Sequence, residues 1–198
     1  MKTLIPKSEV RKLVVQRKME LSAAEIKIKT NKIIERLSQQ DDFVHAKTVY
    51  CYISGRSGEV STRKLIDYIE GWGKSVIIPK LNKTARKFHR FQFMGWDDIV
   101  QNSQGYYEPR VGLDEDTSDI DLMITPALAV SEVGQRVGYG GGYYDKLLRK
   151  TYAPKYVLAL EFQVFANIET DIHDVRVDKI ITERRVIDTR APYKFLDN

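Results

Sequence analysis

Between Gly134 and Asp145 the chain reads GQRVGYGGGYYD, which places five glycines, an arginine, two adjacent tyrosines and a carboxylate in one short stretch. Glycine loses more conformational freedom on folding than any other residue, so such a cluster persists where backbone takes positive φ or lies close against another group. A loop whose N–H groups converge is a common cradle for phosphate, and a helix opening behind it adds partial positive charge. Arg136 carries a permanent charge on a planar fork of donors, which suits a phosphoryl group in transfer. Gly138, Gly140, Gly141 and Gly142 offer backbone donors and close approach. Asp145 falls in the first turn of the helix-like segment that follows, where the helix dipole favours a carboxylate and where one could also ligate Mg2+. These residues suit anion binding and phosphoryl transfer.

The spacing separates this loop from two familiar ones. A Walker loop needs lysine directly after its second glycine, whereas the first lysine past these glycines is Lys146. A dinucleotide fingerprint starting at Gly138 has Tyr143 where its third glycine belongs, although Glu161 lies about where an acid could meet a ribose.

Hydrophobic patterning supplies a frame for the loop. Residues 7 to 20 read as a helix with Val10, Leu13 and Val14 on its apolar side and Arg17 on the polar side. A second helix begins at Ser22, where Ser22 and Glu25 form a capping box and Ile26, Ile33, Ile34 and Leu37 make the apolar stripe. TVYCYI (48 to 53) is a buried strand with SGRSGE as its exit loop. A helix over about 61 to 72, the strand KSVIIP (74 to 79) and a half-exposed strand KFHRFQF (87 to 93) follow. Residues 101 to 118, with Gly105, Pro109 and Gly112, read as a long surface loop of the kind that is often functional. IDLMITPALAV (120 to 130) is the most apolar run and leads into the glycine loop. Beyond it come a helix from Gly142, a strand YVLALEF (156 to 162) and short strands over 177 to 183 and 184 to 189. Strands alternating with helices predict an α/β fold: a three-layer open, largely parallel sheet with helices on both faces, preceded by two N-terminal helices, in one domain over 1 to 198. Ligands of such sheets sit beyond the carboxyl ends of the strands, where both SGRSGE and the glycine loop fall.

Composition narrows the class. With 42% hydrophobic and 30% charged residues the chain is ordinary for a globular protein. No run approaches a membrane span and the opening MKTLIPKSEVRK has no signal-peptide core, so a cytoplasmic protein without a membrane partner is expected. The single cysteine, Cys51, sits in an apolar run and reads as an inert buried thiol. Residues 1 to 38 hold ten Lys and Arg against four Glu, so the net charge of +5 resides in the two N-terminal helices. Such a segment serves as a solvated helix face, or attracts a polyphosphate or RNA.

GQRVGYGGGYYD resembles the signature of the 5-formyltetrahydrofolate cyclo-ligase (methenyltetrahydrofolate synthetase) family, in which arginine, spaced glycines, a tyrosine pair and aspartate surround ATP. The resemblance extends to Lys7 and Arg11, Glu59 in GEVST, Glu108 and Pro109, Pro126, Gln163 after ALEF, and HDVRVDKIITE. It implies ATP-dependent closure of 5-formyltetrahydrofolate to 5,10-methenyltetrahydrofolate, with ATP as co-substrate, Mg2+ as cofactor, a reduced folate as substrate, no nucleic-acid partner, and a monomer or weak homodimer. It implies catalytic roles for Arg136 and Tyr143. ATP would lie among Lys7, Arg11, Arg136, Gly138, Tyr139, Gly140, Gly141, Gly142, Tyr143 and Tyr144, with Ser54, Glu59 and Tyr143 at the folate and Asp145 and Asp174 at the metal. Tyr143 and Tyr144 begin a helix, so their side chains diverge by about 100° and one of the pair should pack into the protein. Lys7 and Arg11, like charges four apart, would be relieved by an anion between them. Where the family often has glycine, then a small run with phenylalanine and aspartate, this chain has Ala127, Val130 and Ser131, and Val130 is expected to widen the folate pocket. Arg136→Ala is expected to lose most turnover and leave the fold intact. The rival readings are an enzyme of the same fold that phosphorylates or activates another small molecule, and an RNA-binding protein using the basic helices.

Overall fold

The computed structural model describes residues 4–55, 59–82, 84–85, 87–102, 105–110 and 119–190. Three helices open the chain, α1 (Lys7–Met19), α2 (Ala23–Ser38) and α3 (Asp41–His45). Ser22 caps α2 as its sequence requires: the Ser22 hydroxyl accepts from Glu25 N at 3.2 Å and the Glu25 carboxylate accepts from Ser22 N at 2.9 Å. There follow β1 (Thr48–Cys51), α4 (Arg63–Gly71), β2 (Ser75–Asn82), β3 (Lys87–Gln92), β4 (Ile99–Gln101), β5 (Tyr107–Pro109), β6 (Leu122–Thr125), β7 (Ala129–Ser131) and β8 (Arg136–Val137). The chain then forms α5 (Tyr143–Leu148), β9 (Lys155–Leu158), β10 (Val164–Phe165), β11 (Lys179–Ile181) and β12 (Val186–Asp188).

Seven strands form the main sheet in the order β12-β11-β9-β6-β1-β2-β3, parallel throughout except at the two antiparallel edge strands. Register explains its two faces. Val49 pairs with Val76 and Leu122, and the next residue, Tyr50, pairs with Ile77 and Met123, so rows of alternating residues fall on opposite sides. The Val49 row packs against Leu37 of α2, Phe43 of α3 and Leu65, Ile66 and Ile69 of α4. The Tyr50 row packs against Leu147 and Leu148 of α5. Farther along, the same face buries Val157 and Ile180 against Ala127 and Val130, so a second sheet, β10-β7-β8, covers what α5 does not reach. The first helix lies on this small sheet through Val10, Val14, Leu128, Ala129 and Val137.

The expected α/β fold with a largely parallel sheet stands, with local corrections, the first being a short third helix, α3, after the two expected at the start of the chain. The expected loop over 101 to 118 is not irregular throughout: β4 and β5 form an antiparallel hairpin, while residues 103–104 and 111–118 lie outside the described residues. The apolar run 120 to 130 is two strands in two sheets, divided at Pro126, because proline cannot donate to a ladder. YVLALEF ends as a strand at Leu158 and turns through a short 3-10 helix at Glu161–Gln163. Leu13, assigned to the buried stripe of α1, is 39% exposed.

Candidate active site

Beyond the carboxyl ends of β1, β2 and β6 lies a cavity of about 660 Å³. Tyr52 and Ile53 follow β1, Leu81 is the next-to-last residue of β2 and Pro126 follows β6, so the edge of the main sheet forms one wall. The glycine loop with the start of α5, the inner face of α1, and the β4–β5 hairpin form the others.

Arg136 anchors the loop from inside. It is 3% exposed, donates from Nη2 to Asp145 Oδ1 at 2.8 Å and from Nη1 to Pro126 O at 3.4 Å, and its buried Nε has no hydrogen-bond partner among the described residues. A buried permanent charge with an unmatched donor suits an anion arriving from the cavity it lines. The loop glycines divide their work. Gly140 and Gly142 take φ of +103° and +66°, whereas a Cβ on Gly138 or Gly141 would lie 3.0 Å from Arg136 Nη1 or 2.6 Å from the Tyr143 ring. Gly141→Ala is therefore expected to push Tyr143 out of place and weaken ligand binding roughly tenfold, with the midpoint of thermal unfolding little changed. Ligand titration beside a melting curve checks this, and unchanged affinity would refute it.

The other cations and carboxylates interlock. Lys7 is ion-paired with Asp174, and Arg11 Nε donates to Gly138 O at 3.1 Å. Each of the two like charges on α1 thus already has a protein partner, a carboxylate for Lys7 and a carbonyl oxygen for Arg11. Asp174 also accepts from Asp171 N at 2.7 Å. Asp145 and Asp174 both line the cavity, each beside a cation. Among the described residues no cluster of three or more His, Cys, Asp or Glu is gathered for a metal.

Glu59 lines the same cavity. Its Oε1 accepts from the Tyr139 hydroxyl at 3.0 Å and its Oε2 from Gly55 N at 3.1 Å. Ser54 does not line it: its hydroxyl accepts from Thr62 N at 3.0 Å and ties the exit of β1 to the start of α4. Tyr143 and Tyr144 diverge as a helix requires. Tyr144 packs 4.8 Å from Phe88 toward the core, and burial holds its phenol well above the usual range, so it stays neutral. Tyr143 lies over Gly141, 5.8 Å from Phe88.

Sequence reasoning missed the aromatic wall, Phe88, Tyr106 and Tyr107, and the cations Lys146 and Arg149. Alternation in KFHRFQF separates Phe88 and Arg90 from His89 and Phe91 but does not say which pair meets a ligand. For the tyrosines the only signal was the length of the segment that holds them. Their approach is visible at Gly55, where a Cβ would lie 2.9 Å from Gly105 O and 3.2 Å from the Tyr107 ring. Of the basic residues on α1, Lys7 and Arg11 turn into the cavity, which removes them from any outward RNA-binding face. Among the described residues no helix is long and apolar enough to cross a membrane.

The model of the 5-formyltetrahydrofolate cyclo-ligase family matches residues 5–183. The chain belongs to this family. It is 29% identical over 195 residues to a probable 5-formyltetrahydrofolate cyclo-ligase of Caenorhabditis elegans, covering 91% of this chain and 94% of the relative. To the 5-formyltetrahydrofolate cyclo-ligase of Escherichia coli K12 it is 27% identical, with 88% and 98% covered. The NMR structure of Aquifex aeolicus 5,10-methenyltetrahydrofolate synthetase superposes with a TM-score of 0.83 at 30% identity, covering 94% of each chain. Within this cyclo-ligase fold, the departures at Ala127, Val130 and Ser131 have a structural reading. Val130 is fully buried between the small sheet and the main one, and none of the three lines the cavity. The expectation that Val130 widens the folate pocket is therefore corrected: its side chain fills the interface between sheets.

Proposed function

We propose that this cyclo-ligase converts 5-formyltetrahydrofolate and ATP to 5,10-methenyltetrahydrofolate, ADP and phosphate. One observation carries the reading: a single cavity joins a buried arginine with an unmatched donor, set in a glycine loop, to a carboxylate flanked by aromatic side chains. The first part suits a triphosphate. The second suits a flat ring system with N–H donors on its edge, because Glu59 can accept from the amino and ring nitrogens of a pterin while Tyr106, Tyr107 or Phe88 offers a face for stacking.

The formyl group is amide-like, a poor electrophile whose oxygen leaves badly. Attack of that oxygen on the γ-phosphorus breaks the bond to the bridging oxygen and releases ADP. N10 then adds to the activated carbon and loses its proton, and phosphate departs with the C–O bond. Arg136 would neutralise charge on the phosphoryl oxygens as it moves, with Lys7, Arg11 and the loop N–H groups holding the rest of the triphosphate in line. Asp145 and Asp174 would hold Mg2+ with the phosphates and water, since two carboxylates and hard oxygen ligands fit that ion without an all-protein cage. When bound, the ion would draw charge from the β- and γ-phosphates.

The test mixes purified protein, 5-formyltetrahydrofolate, ATP and Mg2+, and follows methenyltetrahydrofolate absorbance with ADP release, each component omitted in turn. Equal amounts of both products, dependent on the folate and the nucleotide, are expected. ADP without the methenyl product would support phosphorylation of another small molecule, and neither product would defeat both readings.

A further inference from the structure

The basic face of α1 is not one face. Lys12 and Arg17 are exposed, but Lys18 is 7% exposed, and lysine is seldom buried unless its ammonium is paired. Lys18 shares a helical stripe with Lys7, Arg11 and Val14, since steps of three, four and seven residues return to one side of a helix. Eleven residues separate Lys7 from Lys18, roughly 16 Å of helix rise. One cation therefore stands beside Asp174 and the glycine loop, and the other stands near Glu59.

Lys18 does not line the cavity. Its Nζ donates to the Tyr139 hydroxyl at 3.5 Å and lies 5.9 Å from the centroid of the Tyr139 ring. That hydroxyl in turn donates to Glu59 Oε1 at 3.0 Å, while Gly55 N holds Oε2. Ammonium, phenol and carboxylate form one polarised chain from α1 across the glycine loop to the exit of β1. Tyr139 stands between Gly138 and Gly140, and Gly140 at φ +103° is a backbone that restrains its neighbour little, so contacts made by the Tyr139 side chain decide where the ring lies. A carboxylate has about four acceptor positions. Tyr139 takes one position on Oε1 and Gly55 N one on Oε2, so the protein fixes how this carboxylate faces the cavity it lines.

We infer that Lys18 is a positioning residue that acts through Tyr139 on Glu59, and that this strap sets how tightly the folate end of the cavity holds its ligand. The inference rests on the proposed function and adds to it a residue outside the cavity. Lys18→Met keeps the stem and removes the charge, Lys18→Arg keeps the charge, and Tyr139→Phe removes only a hydroxyl from a residue 39% exposed, so it does not threaten folding.

The experiment is equilibrium titration of 5-formyltetrahydrofolate, without nucleotide, into the unaltered protein and the three variants, followed by separate KM values for folate and ATP and by melting curves. Lys18→Met and Tyr139→Phe are each expected to weaken folate binding about five- to tenfold, the scale of one lost hydrogen bond to a charged group. For Lys18→Met, KM for ATP and kcat should stay within about twofold, and Lys18→Arg should recover most of the loss. The double variant should be no weaker than the worse single one, because both cut the same chain. Unchanged folate affinity in Tyr139→Phe, or equal losses for folate and ATP in Lys18→Met, would overturn the strap while leaving the proposed reaction standing. Failure of the unaltered protein to bind the folate would overturn the reaction, and the strap with it.

Discussion

Arg136→Ala is expected to lower kcat/KM for 5-formyltetrahydrofolate by about a hundred- to a thousand-fold, the loss that follows when a preorganised donor is taken from developing charge. The side chain is 3% exposed and its Nη2 is committed to Asp145, so the buried Nε and the charge itself remain for the phosphoryl group. The structure also changes what the sequence suggested for the fold. Taking one partner from a buried ion pair leaves the other without compensation, at about 3 kcal/mol, kept to the low end here because the Asp145 side chain is 19% exposed. Unfolding should therefore begin roughly 10 °C lower for a chain of this size. Arg136→Ala with Asp145→Asn should recover much of that stability and none of the turnover. Arg136→Lys restores charge without the planar fork and should stay well below the unaltered rate. Steady-state kinetics and calorimetry on the three variants check this, and near-normal turnover in Arg136→Ala would remove the residue from the mechanism.

Gly134→Ala is expected to be the most destabilising single change in the loop region. Gly134 has φ of +84°, and a Cβ there would lie 2.5 Å from Val177 O and 2.9 Å from Thr189 Oγ1. Backbone holds the position on both sides: Gly134 N donates to Ser131 O at 2.9 Å, and Val177 N donates to Gly134 O at 2.9 Å. The new methyl group meets a carbonyl that cannot swing away without breaking this seam. Strain at positive φ and overpacking together cost about 2 to 5 kcal/mol. Gly140→Ala is the control, since its φ is +103° but nothing lies within 4 Å of the added Cβ, so only the backbone term of about 1 kcal/mol applies. Denaturant unfolding of the pair should separate them clearly, and a Gly134→Ala protein as stable as Gly140→Ala would show that the 134–177 seam is soft.

These two glycines show how far the sequence could be read. GQRVGYGGGYYD announces a loop that needs glycine, yet only the folded chain assigns each one: Gly134 to a seam with residue 177, Gly138 and Gly141 to close approach, Gly140 and Gly142 to φ. Ser22 and Glu25 could be placed in advance because a capping box is complete within four residues. Ser54 could not, because its partner Thr62 lies across a loop and takes its hydroxyl away from the cavity. Val130 went astray for the same reason: an apolar residue in an apolar run carries no mark of which of two sheets it will face.

What the sequence determined by itself was everything governed by short range. Periods of two and near four placed the strands and helices, the order of those elements restricted the sheet to a largely parallel one, and residue types in one loop gave phosphate as its expected ligand. What only the tertiary structure decided was which distant groups meet: Lys7 with Asp174, Tyr139 with Glu59, and the aromatic hairpin with the exit of β1. Basic side chains on one helix look alike in sequence, and only packing separates the buried Lys18 from the exposed Lys12 and Arg17. Burial depends on what the rest of the chain brings alongside, and local pattern holds no record of that.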